Sequence, residues 1–148
     1  MAGVNLQVTI EGEKQVSRRL LILVDGVTNY TEPLYKINGE LHKTFQMNFS
    51  QRGSLFGGWA PRKPQFRQGV RVDTWPLLQK TGGMRKSFRS TLGSEELVIR
   101  NVSPHFKYHQ SNKPRRRLPR RVMMKIDKER KDFIVKAFQE YLVSLTRR

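Results

Sequence analysis

Val4, Leu6, Val8 and Ile10 alternate with Asn5, Gln7 and Thr9, the period of two that gives a strand one apolar face. Gly12 breaks the run. Val16, Leu20, Leu21, Leu23, Val24 and Val27 then recur at helical spacing, with Arg18 and Arg19 on the opposite side. At Asn29-Tyr30-Thr31-Glu32-Pro33 the pattern stops and restarts. Thr31 is a capping residue type, and proline suits a first turn whose N–H groups have no intrahelical acceptor. The helix predicted there carries Leu34, Ile37, Leu41 and Phe45 on one stripe, to about Phe49.

Periodicity vanishes over residues 51–71, where Gly53, Gly57, Gly58, Gly69, Pro61 and Pro64 alternate with arginines; this predicts a long, mobile, basic loop. Thr74-Trp75-Pro76-Leu77-Leu78 restores apolar density, and Trp75 reads as core. Residues 84–92 predict a strand, paired with Glu96-Leu97-Val98-Ile99-Arg100 through a turn at Gly93-Ser94. A second basic loop spans residues 111–121, and Val122-Met123-Met124 predicts a short strand. Asp127 then caps a last helix with Phe133, Ile134, Ala137, Phe138, Tyr141, Leu142 and Leu145 on one face. The sum is an α+β fold in a single domain over residues 1–148. Three amphipathic helices pack on a small, largely antiparallel sheet, with two long basic loops at 51–71 and 111–121.

Charge sharpens this picture. The net charge of +17 is segregated: residues 1–50 and 93–110 are each neutral, while residues 51–92 carry +8 and residues 111–148 carry +9. A neutral part joined to two basic blocks predicts a folded base with a positive face, and a polyanion or acidic partner to meet it. The absence of cysteine excludes a disulfide framework, a thiolate metal site and a Cys nucleophile. No apolar run approaches the roughly 20 residues that cross a bilayer. Met1-Ala2-Gly3-Val4 has neither the charged nor the apolar region of a signal peptide. The expectation is a soluble protein with no membrane partner.

Candidate chemistry is sparse. The histidines are His42, His105 and His109; the last two are four apart, but no Asp or Glu near them in sequence completes a metal site, and Pro104 disfavours a helix entering from before. Glu95 and Glu96 are adjacent, so on a strand they point to opposite faces, and Asp73 stands alone in its block; a Mg²⁺-dependent nuclease needs clustered carboxylates. Thr81-Gly82-Gly83-Met84-Arg85-Lys86-Ser87 lacks the spacing of a phosphate loop and reads as a tight turn. No catalytic residue, metal site or cofactor is expected. Trp59, Phe66, Trp75 and Phe88 interleave with charge in a way that suits stacking on exposed bases, although core packing or a protein interface is the ordinary role of such aromatics. Composition alone favours a free basic nucleic-acid-binding protein, ribosome-associated or nucleoid-like, which contacts phosphates without reading sequence.

Four ordered segments change that ranking. Leu77-Leu78-Gln79-Lys80-Thr81-Gly82-Gly83-Met84-Arg85-Lys86-Ser87-Phe88 resembles the Leu, Thr-Gly, Met-Arg and Ser pattern of the phage virion-morphogenesis or tail-completion family. Phe56-Gly57-Gly58-Trp59-Ala60-Pro61-Arg62 is similar to its Gly-x-Trp-x-Pro stretch. Tyr108-His109-Gln110 and Arg117-Leu118-Pro119-Arg120 stand where the family has its Tyr…His-Gln and Arg-x-Pro-x-Arg runs, ahead of a closing amphipathic helix. The chain departs from the family in lacking a small residue after Tyr108 and a glycine after Gln110, and in having Arg121 for a second proline.

The resemblance implies a non-enzymatic structural protein of the tailed-phage neck or tail end, assembled in the bacterial host cytoplasm. It would form a ring, sixfold, that completes the tail and helps join it to the DNA-filled head. Its implied partners are further copies of itself, other neck and tail proteins such as the tail terminator, tail tube and head-completion ring, and genome DNA passing through the lumen without sequence preference. Such a ring would repeat the charge to about a hundred positive charges around one axis. The expected contact residues are Arg52, Arg62, Lys63, Arg67 and Arg71 in the first loop and Lys113, Arg115, Arg116, Arg117, Arg120 and Arg121 in the second, with Trp59 and Tyr108 as interface aromatics.

Overall fold

The computed structural model describes residues 13–113 and 117–147. The alternating segment at Val4–Ile10 lies outside them, as do Arg115 and Arg116. Two long helices open the described chain, α1 (Glu13–Thr28) and α2 (Thr31–Ser50). A 3₁₀ turn (Ser54–Phe56), a hairpin of β1 (Phe66–Arg67) and β2 (Val70–Arg71), and the short helix α3 (Gly83–Lys86) follow. The ribbon of β3 (Phe88–Leu92) and β4 (Leu97–Asn101), the short α4 (Phe106–Gln110) and the long α5 (Lys128–Arg147) complete the fold. Three long helices with two small antiparallel ribbons make the expected α+β class.

The α2 stripe is the spine of the core. Leu34, Ile37, Leu41, Phe45 and Phe49 lie at helical spacing and are all buried, and Phe45 and Phe49 meet Phe88 of β3. Phe88 is joined edge-on by Phe106 of α4, and Ala137 of α5 closes the cluster. Each such aromatic contributes burial plus about 1 kcal/mol per favourable ring pair. The start of α2 differs from the expected cap. Thr31 is already helical, and the Asn29 carboxamide oxygen accepts from the Thr31 N–H (3.0 Å) and hydroxyl (2.6 Å). Asp127 does cap α5: its carboxylate accepts the Arg130 N–H at 3.1 Å and pairs with the Arg130 guanidinium.

Two predicted strands are corrected. Residues 84–87 are not extended: Gly82, at φ +70°, turns the chain into α3, and the Ser87 hydroxyl donates back to Gly83 O, so the strand begins only at Phe88. Its pairing register is Leu92 with Leu97 and Phe88 with Asn101, which puts Arg89 directly opposite Arg100 on the solvent face. Val122-Met123-Met124 has no strand partner among the described residues. Side chains take the place of a neighbouring strand: Gln110 Oε1 accepts the Met123 and Met124 N–H groups, Gln110 Nε2 donates to Met124 O, and Asn48 and Trp59 both donate to Val122 O. The Met123 and Met124 N–H groups and the Val122 and Met124 carbonyls are thus satisfied without a ladder.

The loop at 51–71 has more order than its composition suggests. Gln68 and Gly69 (φ +51° and +79°) form a two-residue turn, and Arg67 pairs with Val70 across it.

Candidate assembly face

Asp73 organises the first basic block. Its side chain is 1% exposed and accepts from the Arg71 Nε at 2.9 Å and the Gln65 N–H at 3.2 Å, with Arg62 at 3.7 Å. The Arg71 hydrogen bond is the main cause holding its carboxyl below the usual range, against the opposing effect of burial. Arg62 also donates to Trp75 O and lies over the Trp75 ring at 5.2 Å, while Lys80 sits over the same ring at 4.8 Å. The single acid of the block therefore ties the root of the β1–β2 hairpin to the Trp75 segment. Arg52, Arg62 and Arg71 converge with Trp59 and Trp75 on an open cleft of about 640 Å³. Trp75, read from the sequence as core, is half-buried on that cleft. Lys63 and Arg67 are exposed.

The second block divides. Lys113, Arg117 and Arg120 are exposed. Arg121 is not: only 4% of it is accessible. Its guanidinium donates to Ala60 O (3.0 Å) and Pro61 O (3.4 Å) and reaches His109 Nδ1 at 3.5 Å. Burial first, then the charge of Arg62, lower the Arg121 pKa. Arg121 is a bracket between the two basic segments rather than a surface group.

Of the two expected interface aromatics, Tyr108 is exposed beside Lys107. Trp59 is buried, stacked edge-on to Phe49 at 5.2 Å, with its indole N–H on Val122 O at 2.8 Å. The Gly57-Gly58 turn (φ +100° and +82°) folds it inward. The exposed apolar groups lie elsewhere, with Phe66 and Val70 on the hairpin and Tyr35 on α2. The largest set is on α1, where Leu20, Leu21, Val24 and Val27 are each about half exposed or more. Periodicity shows that such a stripe exists, but whether the chain's own core covers it is a tertiary fact.

Among the described residues no group of His, Asp and Glu is arranged to hold a metal ion, and no helix is long and apolar enough to cross a membrane.

A helical α+β subunit whose exposed features are basic loops and an uncovered apolar helix face has the character of a contact-making protein. The chain matches the phage virion morphogenesis family across residues 12–143 and belongs to that family. Its role is accordingly structural and virion-related, in contact with other virion proteins. No curated protein and no solved structure matches the chain.

Proposed function

We propose that the protein is a ring-forming component of the tailed-phage neck or tail end, completing the tail and helping to join it to the DNA-filled head. The observation that carries this reading is the division of the subunit. Residues 1–50, which supply α1 and α2, are neutral, and the +17 arises in residues 51–92 and 111–148, the blocks that contain the two loops. Two copies of a +17 chain repel over long range, so lateral contacts are most favourable where the local charge is balanced. The exposed apolar face of α1 sits in that neutral part. The basic loops are then left to repeat around an axis. Residues 52–71 suit a lumen carrying DNA or a neighbouring ring, and residues 113–121 suit an acidic surface on a neighbour; the two assignments are exchangeable.

Imaging the virion neck tests this, by copy number, symmetry and what each loop touches. Charge reversal at Arg115, Arg116 and Arg117 tests the second loop, with the expected outcome that tails fail to join heads. Normal infectious particles would remove that loop from the assembly contacts. A free nucleic-acid-binding protein, the rival reading, would instead bind duplex as a monomer, with affinity falling steeply as salt rises.

A further inference from the structure

We propose that neighbouring copies of this chain join head to tail through the tip of the β3–β4 ribbon. Glu95 and Glu96 of one copy enter the basic recess around Arg121, Arg62 and Lys80 of the next. The inference rests on the ring reading above and names the contact that would build it.

The recess has about 570 Å³ of space and lies where the two basic segments meet. Arg62 and Lys80 line it from the first segment and Arg121 from the second, with His109 from the neutral stretch between them. No Asp or Glu is among the described residues that line it. Arg121 is the informative member. The other buried charges among the described residues, Asp73 and Arg130, each have an oppositely charged partner. Among the described residues, the partners of Arg121 are carbonyl oxygens and an imidazole. A guanidinium taken out of water onto carbonyl oxygens, with no carboxylate among its described partners, leaves a positive potential that a carboxylate would satisfy. Leu77, Leu78 and Met84 give the same recess an apolar lining, which suits a carboxylate on a peptide better than the phosphates of a duplex.

The complementary group is on the same chain, at the wrong end to be used by it. Ser87 and Val102, which bracket the root of the ribbon and are joined by a 3.0 Å hydrogen bond, line the recess. Glu95 and Glu96 sit at the opposite end, both exposed, in the turn closed by Gly93 N–H to Glu96 O at 2.9 Å. Five-residue strands of about 3.3 Å per residue separate root from tip by roughly 16 Å. A subunit therefore cannot fill its own recess, yet it displays knob and hole at the two ends of one rigid element. Such a pair is a heterologous contact, which closes into a ring when the rotation between copies divides a full turn. The tip is also tied to the α1–α2 junction, Tyr30 N–H to Ser94 O at 2.7 Å, and the exposed Val24 and Val27 lie just before that junction on α1. Charge and apolar surface would be buried together.

The chain has no cysteine, which makes the test clean. Particles assembled with the double variant Glu95→Cys/Lys80→Cys are purified, oxidised and run without reductant. A ladder of covalent multimers is expected, absent from either single variant; a double variant that is present in the particles but stays monomeric overturns the proposal. If particles do not form, charge exchange decides. Glu95→Lys/Glu96→Lys and Lys80→Glu should each lower infectious titre, and combining them should restore it by about a hundredfold. Absence of rescue, with a native thermal melt for the combined variant, overturns the contact equally. If the wild-type chain is missing from purified particles, the ring reading itself fails; if it is present and the double-cysteine variant is incorporated without laddering, only this contact does.

Discussion

Gly53 and Trp59 are fitted to each other. Gly53 holds φ +81°, and a Cβ there would fall inside the Trp59 indole, which lies against the Gly53 backbone. Only glycine meets both demands, the left-handed backbone and the missing side chain. Gly53→Ala is expected to lower stability by about 2–4 kcal/mol, through strain and displacement of the indole. Trp59→Phe keeps most of the packing but leaves Val122 O with one donor fewer, at about 1–2 kcal/mol. Thermal or urea unfolding with tryptophan fluorescence checks both, and a Gly53→Ala protein as stable as the parent would refute the fit.

Gln110 should be among the least replaceable polar residues. Its carboxamide makes three hydrogen bonds to the backbone of Met123 and Met124. Gln110→Ala strands those groups and is expected to cost about 2–4 kcal/mol. Hydrogen exchange at the Met123 and Met124 amides should accelerate before the rest of the core loosens. Uniform acceleration would mean that the side chain does not act locally.

Tyr141 fastens α1 to α5. Its hydroxyl donates within reach of two carbonyls, Gly26 O at 3.1 Å and Asn29 O at 2.9 Å, and a Cβ at Gly26 would collide with Leu145. Tyr141→Phe is expected to lose about 1 kcal/mol globally. Limited proteolysis should cut within α1 faster than in the parent, with the rest of the domain resistant.

His42 gives the fold a pH limb. Burial, aided by the nearby charge of Arg89, lowers its pKa from 6.5. The unfolded chain therefore takes up a proton that the folded chain resists. The stability this provides is fully present above about pH 6.5 and is lost as pH falls from there through the lower folded-state value. Melting temperature should drop between pH 7.5 and pH 5.5, and His42→Leu should flatten that part of the profile. An unchanged slope in the variant would assign the drop to other groups.

How far the sequence could be read depended on whether the deciding partner was local. The α2 stripe became core as its spacing implied, because five apolar residues on one helix face have few other destinations. Leu20, Leu21, Val24 and Val27 of the α1 stripe have the same periodicity and stay exposed, since nothing local says which surface meets them. The β1–β2 hairpin escaped notice because Gln68-Gly69 is a weaker turn signal than Asn-Gly, and Phe66 and Val70 beside it are exposed. Among the basic residues, Arg120 and Arg121 are neighbours with opposite fates. A charge run carries no signal for which guanidinium will find carbonyl oxygens at Ala60 and Pro61. Trp59 turned inward for the same reason, since its partner Val122 lies 63 residues away.

Arg89 facing Arg100 across the β3–β4 ribbon weakens that ribbon slightly, since like charges directly opposite repel. It also guards it. A two-stranded ribbon has two open edges, each a template for a further strand. Another ribbon added edge to edge would line up four guanidiniums on one face with no carboxylate between them. The subunit is thereby steered away from fibrous stacking, and its growth into larger structures is left to side-chain contacts whose geometry can close.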